Sequence, residues 1–330
     1  MSYTSSSVFR PSTTLAQLRG IVELLGFTRG SDSLKVPGRV LSYWWFEQKD
    51  YKSWVGVELD VYRSRAGRVT VTTRSRAGRS YWDLVQQNRA LKTLRDLFGG
   101  HFVTDAGRNR YWRPEGAAPA PAQSGCYMAR WRLHNSFARA QLYLSTRGLN
   151  SPIARPEPTG LHFMDTMNPR LLSNNLLLPY LVAIWEDFHK SCFAALLRYS
   201  DNRAAVLKAA RLPQERLEAV AAGTDSIEDS VAGTFGFQRP TTISAAYRLL
   251  DPQLDITATL RRRYRRRRVS LFDTIESAVA QRHSFVHRGE MDTTFSDTRL
   301  KSTLADFEAA ADRVYVRIFE RGGWSLLRDY

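Results

Sequence analysis

Apolar residues recur along this chain in two rhythms, and the change falls near its middle. Leu15, Leu18, Val22 and Leu25 share one helical face behind Ser12-Thr13 and before Gly26, which predicts a short helix. Val55, Val57, Leu59 and Val61 alternate as in a half-buried strand, with Val69 to Thr73 as its partner. Trp44, Trp45 and Trp54 lie in similar strand-like apolar context and are expected in the core. A helix is predicted from Tyr81 to Phe98, stopped by Gly99-Gly100, then a hairpin of His101 to Asp105 with Asn109 to Arg113. Pro114 to Gly125 reads as a Pro/Ala-rich flexible loop. After it Tyr127, Ala129, Trp131 and Leu133 alternate with Met128, Arg130, Arg132 and His134, which predicts a strand with a basic face, and a helix then runs through Leu142.

Beyond the proline-marked stretch NSPIARPEP, Asn150 to Pro158, only helical periodicity remains. Leu177, Leu181, Trp185, Phe188, Cys192 and Leu196 trace a stripe along a long helix over Leu171 to Tyr199, which Pro179 kinks or delays. Further helices are expected over Asn202–Arg211, Gln214–Ala222, Thr242–Leu250, Ser270–Arg288 and Thr298–Glu320. The expected architecture is an α+β domain over residues 1–150, a linker over 151–164 and an all-α bundle over 165–330.

Charge changes this picture from a fold to a partner. The chain of 330 residues carries 48 Lys and Arg against 32 Asp and Glu, a net charge of +16, and 41 of the 48 are arginine. Most of the excess lies in residues 1–150, at +13; residues 151–330 hold +3, with seven arginines in the single run RRRYRRRR, Arg261 to Arg268. A basic field attracts polyanions by releasing their counterions, and guanidinium forks suit phosphate. A GC-rich genome also inflates arginine. The hexapeptide Arg-Ser-Arg-Ala-Gly-Arg occurs twice, at Arg63 to Arg68 and Arg74 to Arg79. Each glycine permits a turn from which Arg65, Arg68, Arg76 and Arg79 project, either onto phosphates or into solvent. No apolar run approaches a membrane span, the N-terminal residues lack the order of a secretory signal, and Cys126 and Cys192 are too few for a disulfide scaffold; a soluble, cytoplasmic protein is expected.

The most specific stretch is QRHSFVHRGE, Gln281 to Glu290. On one helix, Phe272, Ile275, Val279 and Val286 share a face, and Arg282 falls among them. A guanidinium on an apolar stripe is costly to bury unless an anion meets it. His283 and His287 share the neighbouring flank with Glu276, and Gly289 ends the helix. An imidazole, which titrates near neutrality, can take the proton of a ribose 2′-hydroxyl, and an arginine can neutralise the charge that builds on the attacked phosphate. That chemistry leaves a 2′,3′-cyclic phosphate and a 5′-hydroxyl and needs no metal. Two other readings stay open. His283-x3-His287 has the spacing of two zinc ligands, with His162 and His189 as the nearest third, though the glutamate of H-E-x-x-H is missing. Alternatively, Arg282 pairs with a core carboxylate and the histidines pack.

Arg-x4-His in RHSFVH, with a polar residue after the arginine and His-Arg-Gly at the end, resembles the signature of the HEPN superfamily. The resemblance covers about residues 165–330. It implies a compact helical bundle with the motif near a helix end, and a homodimer that joins two motifs into one ribonuclease site. It implies that Arg282 and His287 are catalytic, with His283 at the supporting polar position followed by Ser284, and Glu186 or Asp187 on the first long helix facing the motif. No cofactor or metal is implied. The run Arg261, Arg262, Arg263, Tyr264, Arg265, Arg266, Arg267 and Arg268 lies directly before the motif helix. Its arginines suit the phosphates of a single RNA strand and Tyr264 suits a stacked base; a solvated loop or an acidic protein partner is the other reading. The function expected is a metal-independent endoribonuclease of prokaryotic antiviral defence or a toxin, with RNA as substrate. Residues 1–150 are expected to be a sensor that binds RNA, a trigger molecule or a regulatory protein. The alternative is a non-catalytic RNA- or nucleotide-binding module that acts through a partner protein.

Overall fold

The computed structural model describes residues 2–30, 36–147 and 153–327, and the chain divides into two compact units, one running to Ser124 and including Leu327, the other Gly125–Leu326. The first unit runs β1 (Tyr3–Val8), α1 (Leu15–Leu24), β2 (Thr28–Arg29), β3 (Arg39–Trp45), β4 (Val57–Arg63), β5 (Val69–Ser75), α2 (Tyr81–Phe98), β6 (His101–Thr104) and β7 (Gly107–Arg108). The strands form one sheet in the order β2-β3-β4-β5-β1-β6-β7, and every pairing in it is antiparallel. Alternation sends Val57, Leu59, Val61, Val69 and Val71 to one face, where Leu18 and Val22 of α1 and Ala90 and Leu94 of α2 cover them. Trp54 is buried and Trp45 packs against this core, whereas Trp44 occupies the opposite phase of β3 and only partly leaves solvent.

α2 has the predicted bounds because both ends are locally coded. Ser80 and Asp83 form a capping box, and Gly99 takes φ +70 at the C-cap. Asp83 does more than cap: its carboxylate also accepts from Ser53 Oγ, Trp54 N and Val55 N, which ties a distant loop to the helix start.

The second unit is helical. Its elements are α3 (Pro121–Thr146, whose first turn precedes the division), α4 (His162–Thr166), α5 (Pro169–Arg198), α6 (Arg203–Ala209), α7 (Gln214–Ala221), α8 (Ile227–Ala232), α9 (Pro240–Leu250), α10 (Ile256–Arg261), α11 (Leu271–Arg288) and α12 (Asp297–Gly322). The strand expected over Tyr127 to Leu133 is instead the middle of α3. The alternation there is accidental; Cys126, Ala129, Leu133, Phe137, Ala140 and Leu144 form a helical stripe, all buried, while Trp131 is exposed. Pro121, expected in a flexible loop, opens this helix, where its missing N–H costs nothing. α5 touches α8, α9, α11 and α12, and its Trp185, Phe188, Cys192 and Phe193 form the centre of the core. Pro179 lies inside α5, which stays a single helix. The predicted linker is described from Ile153 onward; residues 148–152 lie outside the described residues.

Candidate functional site

α11 is set by a Ser270–Asp273 capping box at its start and by Gly289 in the left-handed conformation (φ +68) at its end. Leu271, Phe272, Ile275, Ala278 and Val279 bury its first turns. From Gln281 onward no residue of the helix is buried, so its last two turns emerge from the core. Arg282 stands where the stripe leaves the interior. It is half-buried, its Nε is enclosed without a hydrogen-bond partner, and among the described residues no carboxylate lies within 4.0 Å of it. The pairing of Arg282 with a core carboxylate is therefore not formed.

One flank of the same turns carries His283 and His287, both exposed, with ring centroids 4.5 Å apart and planes inclined by 47°. Neither ring nitrogen has a hydrogen-bond partner among the described residues. Among the described residues no three His, Cys, Asp or Glu side chains gather there as a metal-binding group. Ser284 is occupied otherwise: its Oγ receives Arg288 at 2.5 Å, and Arg288 also meets Glu290 at 3.0 Å. The two carboxylates expected to face the motif have other partners. Glu186 accepts from Gln238 Nε2 at 3.0 Å, and Asp187 lies 3.8 Å from Arg132 of α3. Glu276, two turns before His283, accepts from Arg239 at 2.7 Å.

What anchors the exposed end of α11 is a network no motif announces. Asn175 brackets Asp292, donating to its carbonyl and accepting from its N–H, both at 3.0 Å. Asn174 donates to the Phe295 carbonyl at 2.8 Å and to Asp297 at 3.1 Å. Asp297 also meets Arg147 and, at 2.8 Å, Arg170. Burial pushes the Asp297 carboxyl up, but hydrogen bonds from Arg170, Asn174 and Arg147 hold it below its ordinary value. The one sequence hint was two adjacent asparagines inside the apolar run LLSNNLLLP. These contacts bring the end of α11 beside the start of α5, where Leu172 and Leu176 are exposed; Phe163 and Met167, 71% and 75% exposed, lie just before.

The arginine run forms a pinned turn between α10 and α11. Arg313 donates to the carbonyls of Arg262 (2.8 Å) and Arg263 (3.3 Å), and Arg267 grips both oxygens of Asp306 at 2.7 Å. Arg261 lies 4.4 Å over the Phe272 ring. Tyr264, expected to stack on a base, already has Arg265, Arg267 and Arg313 within 5.0–5.5 Å of its ring. Arg262, Arg263, Arg265, Arg266 and Arg268 are exposed with no carboxylate within 4.0 Å among the described residues. Beside this turn, α11 and α12 enclose a groove of about 600 Å³ lined by Arg268, Thr274, Gln281, Arg299 and Thr303.

The two hexapeptides are not equivalent. Arg65 and Arg68 are exposed on the β4–β5 turn, with Gly67 at φ +78. Arg76 pairs with Glu58 and lies 5.9 Å over Trp44. Arg79 is 4% exposed, donates to Ser75 Oγ at 3.1 Å and lies 3.8 Å over the Tyr3 ring, so it faces the interior of its unit.

Fold and site together define a basic protein with a sheet unit and a helical unit, the latter bearing a guanidinium and two imidazoles at an exposed helix end. Comparison with known proteins finds no matching family model, no similar curated protein and no similar solved structure. Among the described residues no helix is long and apolar enough to cross a membrane.

Proposed function

We propose that the chain is a metal-independent endoribonuclease whose helical unit is HEPN-like and whose site is completed by a second copy. The observation that carries this is Arg282: half-buried, without a carboxylate, and next to two unpartnered imidazoles at the end of α11. A cation left open at that depth is suited to an anion from outside. In the reaction, His287 takes the 2′-hydroxyl proton, the 2′ oxygen attacks phosphorus, and the bond to the 5′ oxygen breaks. A second imidazole returns a proton to that oxygen, and Arg282 compensates the charge on the phosphorane oxygens. The free arginines of the 262–268 turn hold neighbouring phosphates. Exposed apolar residues of α4 and α5 beside the motif support a dimer through this end of the bundle. The first unit acts as the sensor that gates the nuclease, by binding RNA or another trigger.

The test is cleavage of a labelled RNA in EDTA with analysis of the ends. Cyclic phosphate products from the parent, and loss of at least 100-fold in Arg282→Ala and His287→Ala, support the proposal. Cleavage unchanged in both variants sinks it; activity abolished by EDTA favours zinc. Tight RNA binding with no cleavage at any enzyme concentration favours a binding module that works through a partner.

A further inference from the structure

Among the described residues of the first unit, its sheet has one face covered by helices and one bare face that no helix of the unit covers. α1 and α2 both sit over Tyr43, Leu59, Val61 and Val71. The opposite phase of the strands carries Trp44, Glu58, Asp60, Tyr62, Thr72 and Arg74, none of them buried. These residues lie in register. Trp44, Glu58, Arg74 and Thr4 form a row across four neighbouring strands, Asp60, Thr72 and Ser6 the next, and Tyr62, Thr70 and Val8 the third.

The chemistry of this face is selective. Its aliphatic content is small, with Val8, Val40 and Val103 the exposed aliphatic side chains among the described strand residues, so it offers little to a protein interface core. Its two carboxylates are each met by an arginine: Glu58 by Arg76 Nε at 2.9 Å, Asp60 by Arg39 at 3.6 Å. Arg74 has no carboxylate within 4.0 Å among the described residues, and its guanidinium reaches Ser2 Oγ at 3.5 Å. Arg63, Arg65 and Arg68 fringe the Tyr62 end, also without carboxylate partners. The surplus charge is therefore positive. The Trp44 ring packs on Gly56, where a Cβ would come within 2.5 Å of its Cζ2, and the Arg76 guanidinium stands 5.9 Å from its centroid. From strand geometry, Trp44 and Tyr62 stand about 14 Å apart, a reach of a few nucleotides.

We propose that this bare face binds single-stranded RNA, with bases stacked on Trp44 and Tyr62 and phosphates held by Arg74 and the turn arginines. Stacking on sheet aromatics requires splayed bases, which a duplex does not offer. The hydroxyls of Thr4, Ser6, Thr70 and Thr72 supply partners for ribose 2′-hydroxyls, the group that separates RNA from DNA. The inference deepens the RNA reading of the chain but uses none of its cleavage chemistry.

The experiment uses the full chain carrying Arg282→Ala, a fluorescein-labelled 12-nucleotide RNA containing 4-thiouridine, and a DNA 12-mer of the same sequence. Crosslinked peptides containing Trp44 or Tyr62 are expected. Arg74→Glu and Tyr62→Ala should each weaken RNA binding about fivefold or more, with Tyr62→Phe within about twofold of the parent. Crosslinks confined to residues 261–268, or an Arg74→Glu variant that binds as the parent does, overturn the proposal. DNA bound as tightly as RNA overturns the choice of RNA. Crosslinks at Trp44 or Tyr62 in a chain whose parent never cleaves would end the nuclease reading and leave this one standing.

Discussion

Arg282 and His189 are opposite solutions to a polar group on an apolar helix face. Arg282 keeps one foot in solvent and its charge; His189 is fully buried between Trp185, Phe188 and Tyr247, with neither ring nitrogen hydrogen-bonded. Burial alone pulls the His189 pKa from 6.5 down to about 3. The folded state therefore holds the neutral ring, and protonation favours the unfolded chain. Stability contributed this way is complete above the unfolded value near 6.5 and falls as pH drops toward 3, by up to about 1.4 kcal/mol per pH unit. Urea melts between pH 7 and pH 4.5 should show that slope in the parent and a flatter one in His189→Phe; equal slopes would refute it. Arg282→Met is expected to behave in the reverse sense of most active-site losses. It should raise stability by about 1 kcal/mol, because a half-buried cation is replaced by an apolar chain, while RNA cleavage disappears. A melt and a cleavage assay on one preparation check both halves.

At the scale of elements, α11 owes its position to its neighbours more than to its own stripe, since its last two turns hold no fully buried residue. The Asp297 network with Arg147, Arg170 and Asn174 fastens the segment that follows it. Asp297→Ala leaves two guanidinia facing an empty place and should cost about 3 kcal/mol, read by denaturant melting. Because the Asp297 pKa is depressed, its contribution is present above the unfolded carboxyl range near 4 and is lost as pH falls through the folded value. That loss begins below the range where His189 already acts, so the two separate in a pH series. α2 and α11 were legible because Ser-x-x-Asp and a terminal glycine mark both ends of each. β1 was not: YTSSSV holds almost no apolar signal, and it becomes a strand because β5 and β6 hydrogen-bond it from both sides.

For the molecule as a whole, charge and symmetry carry the consequences. Substituting Arg262, Arg263, Arg265 and Arg266 with serine removes guanidinia that no carboxylate among the described residues occupies. The slope of log affinity for single-stranded RNA against log salt should fall by about 2 to 3, with the melting temperature little changed. An unchanged slope would return that turn to solvent. Met167→Glu together with Leu176→Glu places charge on the exposed apolar residues beside the motif. Sedimentation should then report a monomer, and cleavage should fall with dimer content if two copies complete the site.

Local order along the chain was enough to determine the helices with coded ends, the central strands, the turn between β4 and β5 and the helix end that holds Arg282, His283 and His287. Each of these is a repeating face or a cap, and such signals span only a few residues. Only the tertiary structure decided that Tyr127 to Leu133 is helical and that Arg79 turns inward while Arg74 stays open. It also decided that Glu186 and Asp187 serve Gln238 and Arg132 instead of the motif. The reason is that a charge is free or spent according to a partner tens to hundreds of residues away, and periodicity carries no record of that partner.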